Sequence, residues 1–255
     1  NSDWSSDVCS SDLGGFKQAE AVFHDCHMQV VKLPVDEEGI TLEGLRQANL
    51  KLLYLNSSSG GYHGHPIKQQ RRLEIIEYAR ANQVYIIEDD HNGELKFNTK
   101  PIDAMSKLDN DHIIYIGSFS KLLLPSIRIS YMALPNQLVQ LFYEKSRDYH
   151  QTASKLEQLA LAMYVEDGQL ARHLKRLRKH YRNKSTHLLQ KLRTTFPQHK
   201  FELYETSLKI TMAIKADLVD QYIALAKQND ILVNKNSNNQ ITLSFSGILD
   251  QDIDE

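Results

Sequence analysis

The 255-residue chain carries 30 basic and 32 acidic side chains, and 41% of its residues are hydrophobic. These values are typical of globular domains and exclude disordered, collagen-like and low-complexity proteins, while the near-neutral charge gives no general attraction to nucleic acid. No apolar run approaches the roughly 18 residues that a spanning helix needs, which excludes a membrane segment. The two cysteines, Cys9 and Cys26, argue against a disulfide framework and favour a reducing compartment, which we take to be the cytoplasm.

Residues 1–13 form a Ser- and Asp-rich stretch that lacks the basic and apolar regions of a signal peptide. The run Asp3–Leu13 matches the translation of a sequencing adapter, so we interpret residues 1–13 as an artefactual tail and set them aside. A natural disordered tail is the alternative. With the tail removed, we expect the chain to begin inside a domain, near Gly14.

Alternating strands and helices characterise the chain up to about residue 150. The segment Lys68–Asn82 has Leu73, Ile76 and Ala79 on one face, which predicts an amphipathic helix. Apolar and β-branched runs predict strands at Met28–Pro34, Leu52–Leu55, Val84–Ile87, His112–Ile116 and Ile129–Ala133. This order predicts an α/β fold over residues 14–150, with a mostly parallel sheet covered on both faces.

A second, smaller α+β domain is predicted over residues 151–255. Its helices and strands are expected at Ala153–Val165, Gln169–Leu192, Ser207–Ile214, Asp217–Asn229 and Gln240–Ser246. The long helix is basic between Arg172 and Lys184, a pattern more typical of a solvated or inter-domain face than of a nucleic-acid contact.

Polar residues follow three of the predicted strands, at the ends where α/β sheets bind ligands. The sequence EDDH occupies residues 88–91, GSFSK occupies residues 117–121, and Arg128 precedes the next strand. A lysine after small hydroxyl residues, such as Lys121, suits a Schiff base with an aldehyde cofactor when its ammonium group is partly desolvated. The pattern therefore predicts a pocket for pyridoxal 5'-phosphate.

The other polar residues complete this prediction. A carboxylate on the neighbouring strand, Asp89, can keep a pyridine nitrogen protonated. Ser118, Ser120 and Arg128 can hold a phosphate, since arginine offers a planar fork of donors. The histidines show no spacing with cysteine or carboxylates that is typical of a metal site, so no metal is predicted.

Each of these residues also has a plainer interpretation. Asp89 can be a solvated turn residue, and Lys121 can be a surface lysine. Arg128 can pair with Asp103 or with another carboxylate. The three residues together favour the cofactor pocket. Without such a pocket, three unrelated explanations would be needed for polar residues at three strand ends.

These residues resemble those of the fold-type I pyridoxal-phosphate enzymes of the aspartate aminotransferase class. More closely, the chain resembles the aminotransferase-like domain of MocR-type regulators in the GntR superfamily. The matching runs are the DEEG turn at Asp36–Gly39, the strand end at Glu88–His91, the segment Ser118–Arg128, EQLALAMYVEDG at Glu157–Gly168 and RHLKRLRKHY at Arg172–Tyr181.

The resemblance implies a role for each candidate residue. Lys121 is the catalytic lysine that forms the internal aldimine, and Asp89 is the partner of the pyridine nitrogen. Ser118, Ser120 and Arg128 hold the phosphate. His91 stands where the family has a tyrosine that contacts the phenolic oxygen of the cofactor, and it retains a hydrogen-bond donor for that oxygen.

Other positions depart from the family pattern. Gly60 stands where a cofactor-facing Gln or Asn is usual, and Ser126 and Ser130 replace glycines. Thr242 stands where the family has an arginine that binds the substrate carboxylate, and Lys209 or Lys235 is a candidate substitute. We interpret these departures as weakened or altered amino-acid chemistry with cofactor binding retained.

The resemblance implies a cofactor-binding, homodimeric sensor domain of a transcriptional regulator that responds to a small amine or amino acid. DNA binding then belongs to a winged helix-turn-helix module upstream of this chain. A working aminotransferase that transfers an amino group between an amino acid and a 2-oxo acid is the alternative. A third interpretation is a dimerisation scaffold without cofactor.

Overall fold

The computed structural model describes residues 8–10, 17–59, 61, 65–90, 93–98, 102–149, 153–236 and 240–254. The chain forms two compact units. Unit one comprises Asn1–Gly93 and Pro101–Glu166, and unit two comprises Glu94–Lys100 and Asp167–Glu255. The domain boundaries drawn from the sequence, after residues 13 and 150, stay predictions.

Unit one is built on a six-stranded sheet. Its strands are β1 Val8–Ser10, β2 Val30–Lys32, β5 Leu52–Leu55, β6 Tyr85–Asp89, β7 Ile113–Ser118 and β8 Ser130–Ala133. Two further strands, β3 Val35–Asp36 and β4 Gly39–Ile40, form a separate hairpin. The sheet order is β2-β1-β5-β6-β7-β8, and β1 comes from the stretch set aside on sequence grounds. Neighbouring strands are parallel except β7 and β8, which are antiparallel. The predicted α/β fold with a mostly parallel sheet is confirmed.

Helices pack on both faces of this sheet, α2 Leu42–Ala48 and α3 Gln69–Asn82 on one face and α1 Lys17–Asp25 on the other. Unit one also contains α4 Asn136–Ser146 and α5 Lys155–Glu166. On one face, Leu53 and Ile86 pack with Ile75 and Ala79 of α3 in the main core. Leu73, predicted to share that buried face, is 39% exposed because the inner face of α3 runs through positions 72, 75, 76 and 79.

The opposite face of the sheet carries a smaller core. Phe23 of α1 meets Tyr54 of β5 edge-on, with ring centroids 5.8 Å apart. Met28 and Ile87 pack against this pair. Cys26 lies in the turn after α1 and is exposed.

The predicted DEEG turn joins β3 to β4. The side chain of Asp36 accepts hydrogen bonds from the backbone N–H groups of Glu38 (2.8 Å) and Gly39 (3.2 Å). Gly39 has a φ of +134°, and a Cβ atom there would lie 2.8 Å from Ile67. Glycine is therefore required at this position on two grounds.

Unit two is a four-stranded antiparallel sheet with two helices. The elements are α6 Gln169–Thr195, β9 Lys200–Tyr204, β10 Lys209–Ala213, α7 Val219–Gln228, β11 Val233–Lys235 and β12 Ile241–Ser244. The sheet order is β11-β12-β10-β9. Arg178 of α6 pairs with Glu94 at 2.7 Å, and Arg182 donates to the carbonyl of Phe97. Part of the basic helix face is therefore used within the unit.

Among the helices that the structure describes, none combines the length and the apolar character that crossing a membrane requires.

Candidate functional site

Strands β6 and β7 bring Asp89 and Ser118 to the same edge of the sheet. Asp89 lies opposite Ile116 in the parallel register, and Ser118 comes two residues later. Because side chains alternate along a strand, Asp89, Ile116 and Ser118 point to the same face. This is the face that carries Phe23 and Tyr54, away from the main core.

A tight turn follows β7 and carries the lysine. The hydroxyl of Ser118 accepts a hydrogen bond from the N–H of Ser120 at 3.2 Å, and the N–H of Leu122 donates to the carbonyl of Phe119. Lys121 lies inside this turn and is exposed.

Arg128 returns to the same edge through the antiparallel pairing of β7 with β8. Ser118 pairs with Ser130, and the pairing continues through the N–H of Phe119 and the carbonyl of Ile129, 3.0 Å apart. Arg128 thus lies across from the turn that holds Ser120. Its backbone is in the left-handed region (φ 46°, ψ 33°) after a short 3₁₀ helix, Pro125–Ile127. Asp103, one suggested partner of Arg128, pairs instead with Lys107 at 2.6 Å.

Asp89 has a hydrogen-bond partner that sequence reasoning missed. The hydroxyl of Tyr54 donates to its Oδ2 at 2.5 Å. Tyr54 is 7% exposed, and Asp89 is partly buried. The sequence did contain an indication of this bond, because Tyr54 lies in an otherwise apolar strand and a buried phenol usually has a hydrogen-bond partner.

Glu88 and Asp89 are adjacent, yet Glu88 points to the opposite face and is fully buried. Its carboxylate accepts hydrogen bonds from the hydroxyl of Ser57 (2.5 Å) and from the backbone N–H groups of Met105 (2.9 Å) and Ser106 (3.0 Å). Burial raises the pKa of Glu88 above its usual value, although these three bonds oppose the rise.

Two further groups fix the loop that begins at Asn56. The guanidinium of Arg72, 1% exposed, donates to the carbonyl of Ser57 at 2.6 Å and to those of Ile67 and Asp103. Burial lowers the pKa of Arg72, and the nearby carboxylates oppose this change. The hydroxyl of Ser58 donates to the carboxylate of Asp90.

Asp90 follows strand β6 directly. It accepts hydrogen bonds from the N–H of Gly93 at 3.0 Å and from the hydroxyl of Tyr115 at 3.2 Å. Burial and the adjacent carboxylate of Asp90 raise the pKa of Tyr115, so this phenol stays protonated and keeps donating. The carboxylate of Asp90 therefore links Gly93 to strand β7.

The remaining predicted positions are His91, Gly60 and Thr242. His91 and Gly60 fall outside the described residues, so the structure gives no account of them. Thr242 belongs to unit two, where it is 9% exposed and pairs with Thr211 and Asn234 across the sheet. Within the described part of the chain, no group of three or more His, Cys, Asp or Glu residues is arranged to hold a metal ion.

The chemistry of this edge combines an acid, an amine, two hydroxyls and a guanidinium. The register brings Asp89, Ser118 and Arg128 to neighbouring strand ends, with Ser120 and Lys121 in the intervening turn. Such a set can pair with a cationic nitrogen, attack or condense with a carbonyl and bind an anion. We therefore treat Asp89, Lys121 and the three possible phosphate ligands Ser118, Ser120 and Arg128 as one candidate site.

Comparison with known proteins places the chain in a family. The family described as aminotransferase class I and II matches residues 10–239. The uncharacterized HTH-type transcriptional regulator YdeL of Bacillus subtilis is 31% identical over 94% of this chain and 54% of its own length. The probable rhizopine catabolism regulatory protein MocR of Rhizobium meliloti is 31% identical over 69% of this chain and 36% of its own length.

Solved structures agree on the fold. A kynurenine aminotransferase of Pyrococcus horikoshii, solved with PMP, superposes with a TM-score of 0.79 at 21% identity, over 97% of this chain and 66% of that one. The chain spans about half the length of YdeL, the relative that it matches over the longest stretch given above. The resemblance inferred from the sequence motifs is confirmed, and the chain belongs to the aminotransferase class I and II family.

Proposed function

We propose that this chain is the pyridoxal-phosphate-binding effector domain of a MocR-type transcriptional regulator. One observation supports the proposal: Asp89 and Ser118 end adjacent parallel strands, and Ser118 pairs with Ser130 of β8, on either side of the segment that contains Lys121 and Arg128. The regulators YdeL and MocR, which this chain resembles over most of its length, support the regulatory role.

The residue types at this edge fit the cofactor group by group. The carboxylate of Asp89 complements a protonated pyridine nitrogen, and the amine of Lys121 complements an aldehyde. Ser118, Ser120 and Arg128 provide hydroxyl and guanidinium donors for a phosphate. The ring nitrogen, the aldehyde and the phosphate of the cofactor therefore each have a matching side chain among the described residues.

When bound, the cofactor supplies an aldehyde for reversible attachment of amines and a ring that withdraws electrons. Lys121 would provide the amine for attachment and, once released as a neutral amine, would accept the proton that must be moved. Asp89 would orient the ring through its nitrogen. Arg128 would hold the phosphate, which would limit rotation of the ring.

The effector in this proposal is a small amine or amino acid that competes with Lys121 for the aldehyde. Exchange of the amine then shifts the population of protein conformations, and an upstream module transmits the shift to DNA. The exposed thiol of Cys26 fits a reducing compartment, so we include a cytoplasmic location in the proposal.

A homodimer is the second part of the proposal. Helices α4 and α5 of unit one expose several large apolar side chains, which include Leu141, Phe142, Leu156, Leu159 and Met163. Leu156 is 76% exposed and Leu159 is 60% exposed. Exposed apolar side chains of this kind are typical of protein–protein contacts, and a second copy of the chain is the partner that we propose.

The amine at position 121 is tested by spectroscopy of the protein mixed with pyridoxal phosphate. We expect wild-type protein to show a visible absorption band that borohydride abolishes, with the cofactor mass fixed on the peptide that contains Lys121. Lys121→Ala is expected to lose both signals. Lys107→Ala is the matched control, because Lys107 is an exposed lysine of the same unit that lies in an ion pair with Asp103.

The other readings predict different results. An unchanged band in Lys121→Ala would contradict the site. Steady turnover of an amino donor with a 2-oxo acid would favour a working aminotransferase over a sensor. Wild-type protein that shows no band at saturating cofactor would leave only the scaffold interpretation.

A further inference from the structure

Tyr54 and Asp89 form a short contact at the candidate site. The phenolic oxygen of Tyr54 lies 2.5 Å from Oδ2 of Asp89, within the range of a charge-assisted hydrogen bond. The two residues lie on adjacent parallel strands, where Tyr54 is paired with Ile87 and Asp89 comes two positions later. Both side chains therefore point to the same face.

The ring of Tyr54 is held in place independently of Asp89. It is 7% exposed and meets Phe23 at 5.8 Å with an interplanar angle of 69°, the edge-to-face geometry that aromatic pairs favour. Its strand lies inside the sheet, paired on both sides. The hydroxyl is therefore presented from a rigid position.

This donor has two effects on the carboxylate. A hydrogen bond to the charged form favours that form, so the phenol keeps Asp89 ionised. It also binds Oδ2 and so restricts rotation of the carboxylate. Both effects suit a carboxylate that holds a cationic group.

We propose that Tyr54 is a positioning residue that keeps Asp89 ionised and oriented toward the ring nitrogen of bound pyridoxal phosphate. The inference rests on the proposed function and deepens it. Loss of the phenolic hydroxyl leaves a carboxylate with a higher affinity for the proton and a freer orientation. The proton of the ion pair then moves toward Asp89, and the ring nitrogen becomes less protonated.

The chain offers a matched pair of variants for the test. Tyr54→Phe removes the donor to Asp89, and Tyr115→Phe removes a phenol–carboxylate bond to the adjacent Asp90, 3.2 Å long, on the opposite face. Both lose one hydroxyl from a tyrosine of the sheet. The thermal unfolding of each cofactor-free protein is measured to compare the structural cost.

The readout is the ¹⁵N chemical shift of the ring nitrogen of labelled pyridoxal phosphate at neutral pH, together with the cofactor dissociation constant. In the Tyr54→Phe protein the shift is expected to move toward the unprotonated value, and the dissociation constant is expected to rise about tenfold, as one charged hydrogen bond predicts. The Tyr115→Phe protein is expected to match the wild type in both.

A third variant keeps the test decisive if Tyr54→Phe does not fold. Phe23→Leu removes the edge contact but retains the hydroxyl, so a smaller displacement of the ¹⁵N shift in the same direction is expected. Wild-type shift and affinity in Tyr54→Phe would overturn this inference alone. Wild-type protein that binds no cofactor would overturn the proposed function as well, so the two failures are distinguishable.

Discussion

Arg128 combines a strained backbone conformation with a side chain that can bind a ligand. Its φ of 46° lies in the left-handed region, which costs a non-glycine residue roughly 1–2 kcal/mol. The side chain is exposed, so its packing does not offset that cost. Strain of this kind collects at functional sites, which agrees with the proposed role of Arg128 in holding a phosphate.

Replacing Arg128 with glycine is expected to change stability and cofactor binding in opposite directions. The free energy of unfolding of the cofactor-free protein should stay level or rise by up to about 1 kcal/mol, because glycine adopts this φ without strain. Cofactor affinity should fall, because a guanidinium is lost from the phosphate end. Chemical denaturation and cofactor titration measure the two quantities.

The control for this prediction is Arg147→Gly, which alters another arginine of unit one, at the end of α4. Arg147 has an ordinary helical φ of −56°, so glycine there is expected to destabilise the protein by up to about 1 kcal/mol without affecting cofactor affinity. A loss of stability in Arg128→Gly equal to that in Arg147→Gly would contradict the strain argument.

At the scale of single elements, the sequence predicted those with strong periodicity or long apolar runs. Strand β5 has the predicted bounds, Leu52–Leu55, and α3 begins one residue later than predicted. Helix α4 was missed because none of its residues is buried, so burial imposes no periodic pattern on it. Strands β9 and β11 were missed because their short sequences mix charged and apolar residues.

The candidate site was predictable to a similar extent. Asp89 and Ser118 were expected to meet because the carboxyl ends of parallel strands share an edge. The partners of Glu88, by contrast, depend on tertiary contacts between segments 17 and 31 residues away in sequence. Neither propensity nor periodicity contains that information, so the polar network around Ser57 could not be inferred.

Asp109 connects helix α3 to the start of β7. Its carboxylate accepts hydrogen bonds from Arg80 (2.7 Å) and from the backbone N–H groups of Asp111 and His112. Burial alone would raise its pKa, but these bonds outweigh burial and lower the pKa of Asp109 below its usual value. The ionised carboxylate therefore stabilises the junction between the two elements.

Asp109→Asn is expected to cost about 1–3 kcal/mol of unfolding free energy at neutral pH. A lowered pKa contributes stability above the pKa of the unfolded state and loses it as pH falls through the folded pKa. The difference between variant and wild type should thus shrink below about pH 4. Urea denaturation from pH 7 to pH 3 measures this.

Asp103→Asn provides the comparison, because Asp103 also pairs with a cation, Lys107, but its side chain is 68% exposed. An exposed pair of this type contributes little, so a change within about 0.5 kcal/mol is expected. Equal losses in the two variants would show that burial of Asp109 has no bearing on its contribution.

At the scale of the whole molecule, the apolar surface of α4 and α5 predicts the oligomeric state. Leu159→Glu combined with Met163→Glu places two charges on α5, where both side chains are well exposed. In a dimer these charges would be buried without partners, so the variant is expected to be monomeric. Sedimentation equilibrium at micromolar concentration measures the mass.

Leu232→Glu is the control, since Leu232 of unit two is 82% exposed and equally apolar. It is expected to leave the wild-type mass unchanged. A wild-type protein that sediments as a monomer, or a double variant that remains dimeric, would contradict the interface on α5.

Strand β6 also limits which changes of chain length evolution can accept. Glu88 faces the core and Asp89 the opposite side, so gaining or losing one residue within Tyr85–Ile87 would exchange their surroundings. Asp89 would turn toward the core side of the sheet, and Glu88 after an insertion, or Asp90 after a deletion, would take its place at the rim. Two inserted residues would restore the facing but displace the acid by about 7 Å. Homologous genes should therefore vary here by substitution, with indels confined to the loops on either side.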